Sequence, residues 1–276
     1  MIARLAAALL AALAAGCSQL EFAYKHADVW LRWKAAAYVD LEGDQSREFE
    51  ARVAAFHGWH RTRALPHYAR LAEEAAARLE RGATLEDMAW GYDALRRRMR
   101  AELRRAGEEL GGFGDGLNDA QLASIERRFA EDNRKFAEQW LSGTPDERRA
   151  RRLERVVERL GDWLGPLDEG QLARVRAFND EAPYNAALRD RDRRRLQAEF
   201  LALLRAREGE RRLGEWLSAW DAGRDAALAE ASRETTRAFL AMLADLSRGL
   251  SEAQRERVTA RLRDYARGFQ VLAEAR

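Results

Sequence analysis

Cysteine, proline, lysine and serine are all scarce in this 276-residue chain, and each scarcity removes a class of protein. Cys17 stands alone, so no disulfide can form within the chain. Proline occurs only at Pro66, Pro145, Pro166 and Pro183, and alternating runs of β-branched residues are missing, so a β-sheet has little to be built from. No apolar run approaches the roughly 20 residues that a membrane-spanning helix needs. The only lysines are Lys25, Lys34 and Lys135, and the many arginines are interleaved with acids to a net charge of +2. That pattern lacks the one-sided basic face of a nucleic-acid-binding protein. No serine stands in Gly-x-Ser-x-Gly and no His-Glu-x-x-His is present, so neither hydrolase motif is represented. The run Gly111–Gly116 contains a Gly-x-Gly spacing but follows a helical pattern rather than a strand. It therefore reads as a helix cap and connector, not a nucleotide cradle.

The N-terminus carries an address. Arg4 is followed by the apolar run Leu5–Ala15 and then small residues, which describes a secretory signal. Its exit, Leu13-Ala14-Ala15-Gly16-Cys17, resembles the lipobox of bacterial lipoproteins, with Ala14 where Leu is usual. The resemblance implies a signal peptide over residues 1–16, a diacylglycerol on the Cys17 thiol, cleavage before it and acylation of the new amine. Ser18 in place of Asp resembles the signal for outer-membrane sorting, facing the periplasm. The competing reading is an ordinary cleavage after Ala-Ala-Gly with Cys17 incidental. A single acyl chain anchors only marginally, at about 0.8 kcal/mol per buried methylene, whereas several hold a protein at a bilayer. Loss of residues 1–16 removes Arg4 and no acid, so the net charge falls from +2 to +1. Apart from that covalent lipid, nothing calls for a cofactor or a nucleotide.

The remainder, residues 17–276, reads as one all-α, multi-helix bundle, compact or elongated. Leu153, Val156, Val157, Leu160 and Leu164 form one helical stripe, and Val258, Leu262, Tyr265, Phe269 and Leu272 form another. Helices are expected near 20–38, 45–64, 67–81, 85–109, 119–141, 145–163, 169–180, 190–207, 209–246 with a break near Gly223, and 252–273. Thr144-Pro145-Asp146-Glu147 is a capping box, and Thr84 with Asp87 is a looser one. Leu-x-x-x-Gln recurs at helix starts: Leu117–Gln121, Leu167–Gln171 and Leu250–Gln254, with a degenerate fourth at Leu41–Gln45. The second residue can cap and the glutamine can close the box, at about 1 kcal/mol per cap. The unequal steps between successive copies exclude a solenoid of fixed period.

Two stretches near the start carry a family resemblance. The first is Ala23-Tyr24, Asp28, Trp33 and Tyr38-Val39-Asp40-Leu41; the second is Trp59-His60-Arg61 with Leu65-Pro66 and Tyr68-Ala69. With the lipobox and the Leu-x-x-x-Gln starts, they resemble an uncharacterised proteobacterial lipoprotein family known as a domain of unknown function. That resemblance implies a helical, periplasm-facing lipoprotein and brings no catalytic residue. The helix starts also resemble the LTxxQ motif of the Spy and CpxP periplasmic proteins, without its Thr, and a generic capping box accounts for the same spacing.

Candidate chemistry is thin. His57 and His60 lie one turn apart and His67 follows Pro66, so the three, with Glu48 or Glu50, are the candidate metal ligands. A metal protein or hydrolase built on them is the alternative function. The competing role for Trp59 and His60 is to fix a turn before Pro66. The runs Arg148–Arg152 and Arg189–Arg195 either meet anionic phosphates or form solvated faces with local acid partners. Trp30 and Trp33 either brace the first helix on lipid headgroups or dock it into the bundle. The expected role is non-catalytic: an envelope protein held to the bilayer by its acyl anchor and binding other envelope proteins or unfolded chains.

Overall fold

The computed structural model describes Leu20, Phe22, residues 24–41 and residues 43–275. The expected signal peptide and the lipidation expected at Cys17 fall outside the described residues. Regular structure among the described residues is entirely helical. In chain order it comprises α1 (Ala27–Ala36), α2 (Asp44–Trp59), a π-helical turn (His60–Ala64), α3 (Leu65–Glu80), α4 (Leu85–Asp115) and α5 (Asp119–Trp140). There follow α6 (Pro145–Leu164), α7 (Glu169–Glu181), α8 (Ala186–Arg205), α9 (Gly209–Ser218), α10 (Ala226–Arg248) and α11 (Glu252–Glu274). The chain is all-α, and no described helix is long and apolar enough to cross a membrane.

The helix starts are built as the spacing implies. Thr84, Asn118, Thr144, Asp168 and Ser251 each close a reciprocal capping box, with Asp87, Gln121, Glu147, Gln171 and Gln254 respectively. Each box satisfies amide groups that a helix N-terminus leaves unpaired.

The glutamines do more than cap. Gln171 Nε2 donates to Gln254 Oε1 at 2.8 Å, and Gln254 Nε2 donates back to Gln171 Oε1 at 3.0 Å. Gln171 also donates to the Gly249 carbonyl, and Gln254 to that of Pro166. The same four-bond clasp joins the other two copies. Gln121 and Gln45 exchange amide bonds at 2.7 and 3.3 Å, Gln121 donates to the Asp40 carbonyl and Gln45 to that of Gly116. In every case the accepting carbonyl belongs to the residue just before the partner's leucine. The Leu-x-x-x-Gln copies are thus paired rather than serial, 76 and 83 residues apart. Each clasp sits at the end of a core. Leu117 and Leu122 lie with Val39, Phe113, Ile125, Leu201, Leu204 and Leu213 in the first. Leu167 and Leu246 lie with Val175, Phe178 and Met242 in the second.

Two expectations about boundaries are corrected. Pro66 does not break the chain: α2, the π turn and α3 run on without a gap. Proline lacks an amide hydrogen and its ring crowds the carbonyl four residues back. The widened turn, in which the Leu65 amide reaches the His60 carbonyl, accommodates it. Secondly, Gly111–Gly116 is no connector, because α4 continues to Asp115. Gly107 and Gly111 instead let α9 approach closely. A Cβ on Gly107 would stand 2.6 Å from Gly214 Cα, and one on Gly111 2.3 Å from the Gly209 carbonyl oxygen. Asp115 then caps α9, its carboxylate accepting from the Gly209 and Glu210 amides at 2.7 and 2.9 Å. The break expected near Gly223 is present: residues 209–248 form two helices, α9 and α10, separated by a turn containing Gly223 at positive φ.

One helix therefore offers two glycines of opposite expected response. Gly91 lies in α4 with nothing near its missing Cβ. Gly91→Ala is expected to raise stability by about 0.5–1 kcal/mol. Gly111→Ala is expected to lower it by about 1–3 kcal/mol, because the Cβ meets backbone that must move. Urea denaturation of both variants checks the two signs.

Candidate functional site

The π turn gathers the motif residues. By widening the helix at His60–Ala64 it turns His60 toward α4 while His57, one turn earlier, faces the segment before α1. Tyr24 sits between the two imidazoles. Its hydroxyl lies 3.0 Å from His60 Nδ1, and its backbone carbonyl accepts from His57 Nε2 at 3.2 Å. The Tyr24 ring also lies over His57, with centroids 4.5 Å apart. Beyond His60 stands Glu102 of α4, its Oε1 3.9 Å from His60 Nε2, with the Tyr68 hydroxyl beside it.

The electrostatics of this cluster favour neutral groups. Burial pushes the Tyr24 phenol up to about 12, with the Arg61 guanidinium opposing and Glu102 assisting. Burial, then Glu102, raises the Tyr68 phenol. Burial raises the Glu102 carboxyl against the pull of Tyr68 and Arg98. Burial, then the neighbouring His57, lowers His60. A protonated Tyr24 donates to Nδ1 of a neutral His60, which leaves the Nε2 proton facing Glu102. At 3.9 Å that last contact is too long for a hydrogen bond. Glu102 Oε1 is buried with no hydrogen-bond partner among the described residues.

The remaining sequence candidates scatter. His67 turns away from His57 and His60: its Nδ1 meets Arg70 Nη2 at 2.6 Å, and it lines a small polar hollow with Arg97 and Arg98. Glu48 and Glu50 pair with Arg52 and Arg32. Among the described residues no three His, Cys, Asp or Glu side chains are grouped to hold a metal ion. Asp28 pairs with Arg32 at 3.4 Å. Tyr38 donates to Asp132 at 2.6 Å under Arg128, and burial together with Asp132 raises its phenol. Asp40 contributes its carbonyl to the first clasp rather than its carboxylate. Trp59 packs on Phe56, Pro66 sits behind the π turn, and Arg61 acts on Tyr24 by charge.

The arginine runs are structural. Arg148 and Arg151 donate to the Leu141 and Ser142 carbonyls at the end of α5. Arg152 holds Asn179 together with the Ala182 and Pro183 carbonyls past the end of α7. In the second run Arg194 and Arg195 pair with the buried Asp190 and Asp192. The second run thus has the local acid partners expected of it, while the first is used on carbonyls beyond its own helix. Trp30 and Trp33 are 56% and 65% exposed, and Lys34 lies near both rings. α1 packs against α2 while leaving both indoles largely exposed.

Sequence reasoning missed Glu102 and Tyr68 as neighbours of His60. Glu102 is one acid in the arginine-rich stretch 96–105, and nothing local distinguishes it from an ordinary surface ion-pair partner.

Fold and cluster together define an all-α protein in which helix ends are tied by polar clasps and Tyr24, His57, His60 and Tyr68 gather at the π turn. The chain belongs to a family of unknown function, DUF6279, whose sequence pattern matches residues 37–223. That stretch starts one residue before Tyr38 and contains the whole first clasp, while Tyr24 and α11 lie beyond it. No curated protein and no solved structure matches the chain.

The cluster has a pH signature. A histidine whose pKa is lowered by folding contributes stability that is complete above its ordinary value of 6.5 and is lost as pH falls below it. Thermal melts at pH 7.5 and 5.5 are expected to show a larger fall in Tm for the parent protein than for His60→Asn, which cannot take up the proton.

Proposed function

We propose that this is a lipid-anchored envelope protein that acts by binding an amphipathic helix of another envelope protein, and not by catalysis. In this reading residues 1–16 direct export, Cys17 carries the acyl groups, and the bundle faces the periplasm from the outer membrane. The observation that carries it is an open groove of about 1130 Å³ between α4 and α10. Leu85, Tyr92 and Met99 recur along α4 at seven-residue steps, and Leu95 between them is 52% exposed. Ala229, Thr236 and Leu240 line the facing side of α10. Two helices that face one another across an open seam, with small and apolar positions set among charged ones, form the receiving half of a helix-in-groove contact. The groove also reaches the motif cluster. Trp220 Nε1 and Glu102 Oε1, both buried and unpartnered among the described residues, border it, offering a donor and an acceptor to the polar edge of an incoming helix.

The anchor reading draws support from α1. Trp30, Trp33 and Phe22 are exposed a short distance after Cys17, with Lys34 against the indoles. Aromatic rings with an adjacent cation suit the headgroup layer of a bilayer. The Tyr24 clasp would then set the angle at which the bundle leaves the surface.

A photo-crosslinking residue placed at Leu95 in native cells tests the binding role. A discrete adduct is expected that a control at exposed Arg134 does not give, and that Tyr92→Asp reduces about tenfold, the effect of burying an uncompensated charge in the contact. Equal labelling at Leu95 and Arg134 contradicts it. In the same cells Cys17→Ser is expected to move the protein from the membrane fraction to the soluble one.

A further inference from the structure

A second hollow, further toward the C-terminal end of α10 than the groove, is of a different kind. It is an apolar cavity of about 610 Å³ bounded by α3, α6, α10 and α11. That is within the range of small-molecule sites, about 300–1,000 Å³. Leu79, Val156, Leu160, Leu243 and Leu262 supply aliphatic wall, and Trp140 and Trp163 supply ring faces. No acidic side chain lines it, and its charged members are three arginines of α6: Arg152, Arg155 and Arg159.

The three arginines are not equivalent. Arg152 is fully occupied by Asn179 and the carbonyls beyond α7. Arg155 lies over the Trp140 ring with Cζ 4.0 Å from its centroid, and its Nη1 is buried with no acceptor among the described residues. Arg159, one turn further along the same helix, is exposed and forms no ion pair among the described residues. A guanidinium whose buried N–H has no acceptor is costly. An apolar wall leaves a water there few other partners. An anion with an aliphatic body resolves both difficulties, since its head accepts from Arg155 and its tail fills wall that otherwise lacks contacts.

We propose that this cavity binds a diffusible single-chain amphiphile with an anionic head, of the fatty-acid or lysophospholipid class. Arg155 and Arg159 hold the head, and Leu160, Leu243 and Leu262 enclose the tail. The site is separate from the α4/α10 groove and does not depend on it.

The test uses the full chain carrying Cys17→Ser, so that no acyl group attached to the protein can occupy the cavity. Trp140 and Trp163 report occupancy through quenching by a dibrominated stearate below its aggregation concentration. Saturable quenching at one ligand per chain is expected. Palmitate or lysophosphatidylglycerol should reverse it, the more potent of the two identifying the source, while hexadecanol should compete at least about tenfold less well. Arg155→Met, and separately the surface variant Arg159→Met, should weaken palmitate about tenfold and leave hexadecanol unchanged, with unaltered thermal melts showing that the fold is kept. Leu243→Trp, which fills the cavity, should abolish quenching. Quenching that does not saturate, equal competition by hexadecanol, or indifference to both arginine variants overturns the proposal.

Discussion

The reciprocal amide clasp between paired glutamines is the interaction on which the rest of the architecture depends. A glutamine side chain has two N–H donors and one carbonyl oxygen. In each clasp the donors are divided between the partner glutamine and a backbone carbonyl ahead of the partner helix. For Gln121, Gln171 and Gln254 the oxygen also closes the capping box of the glutamine's own helix. Gln121 and Gln171 are buried while doing so. A buried amide left without partners costs about 1–3 kcal/mol, so the register between two helix starts is held closely once both sides are satisfied. The apolar residues beside each clasp, Leu117 and Leu122 at one and Leu167 and Leu246 at the other, then have a fixed frame against which to pack.

Tying the helices at their ends leaves their flanks open to other uses. α4 and α9 cross closely because glycines bring backbone against backbone, and α3 packs along α11. Where no such contact closes the space, two hollows remain, the α4/α10 groove and the apolar cavity behind α6. An aromatic series joins the surroundings of the two: His60 to Tyr68, Tyr68 to Phe269, Phe269 to Tyr265, and Tyr265 to Trp163, each within 6.3 Å. The arginines, conspicuous in sequence, pair mostly with acids three or four residues away on the same helix, while a smaller set satisfies carbonyls past helix ends and the buried Asp190 and Asp192. This is a structural use of charge that leaves the surface near neutral overall.

Much of the fold was legible locally and little of the site was. Helical stripes and capping boxes depend on spacings of three and four residues, so the starts at Asn118, Thr144, Asp168 and Ser251 were readable from the chain alone. The second face of each glutamine was not, because its partner lies 76 or 83 residues away and nothing local marks it. Gly111–Gly116 was misread because a glycine that ends a helix and a glycine that admits a neighbouring helix look alike in sequence. Pro66 was misread for a related reason: a widened turn can absorb proline, and only the packing of His60 and Tyr24 reveals that it does. Glu102 gave no signal among its arginine neighbours. Of the three histidines only His57 and His60 meet, at Tyr24; His67 points elsewhere, since three residues past the π turn the helix face has rotated.

The clasp makes a quantitative claim that a double-mutant cycle on Gln171 and Gln254 tests directly. If the two amides are bound to one another, Gln171→Leu and Gln254→Leu should each cost more than their share of the double variant. The coupling should be at least about 1 kcal/mol, while Gln121 combined with Gln254 should be additive within about 0.5 kcal/mol. Additivity for Gln171 and Gln254 would mean that each glutamine only caps its own helix, and the paired-start account of this bundle would be wrong.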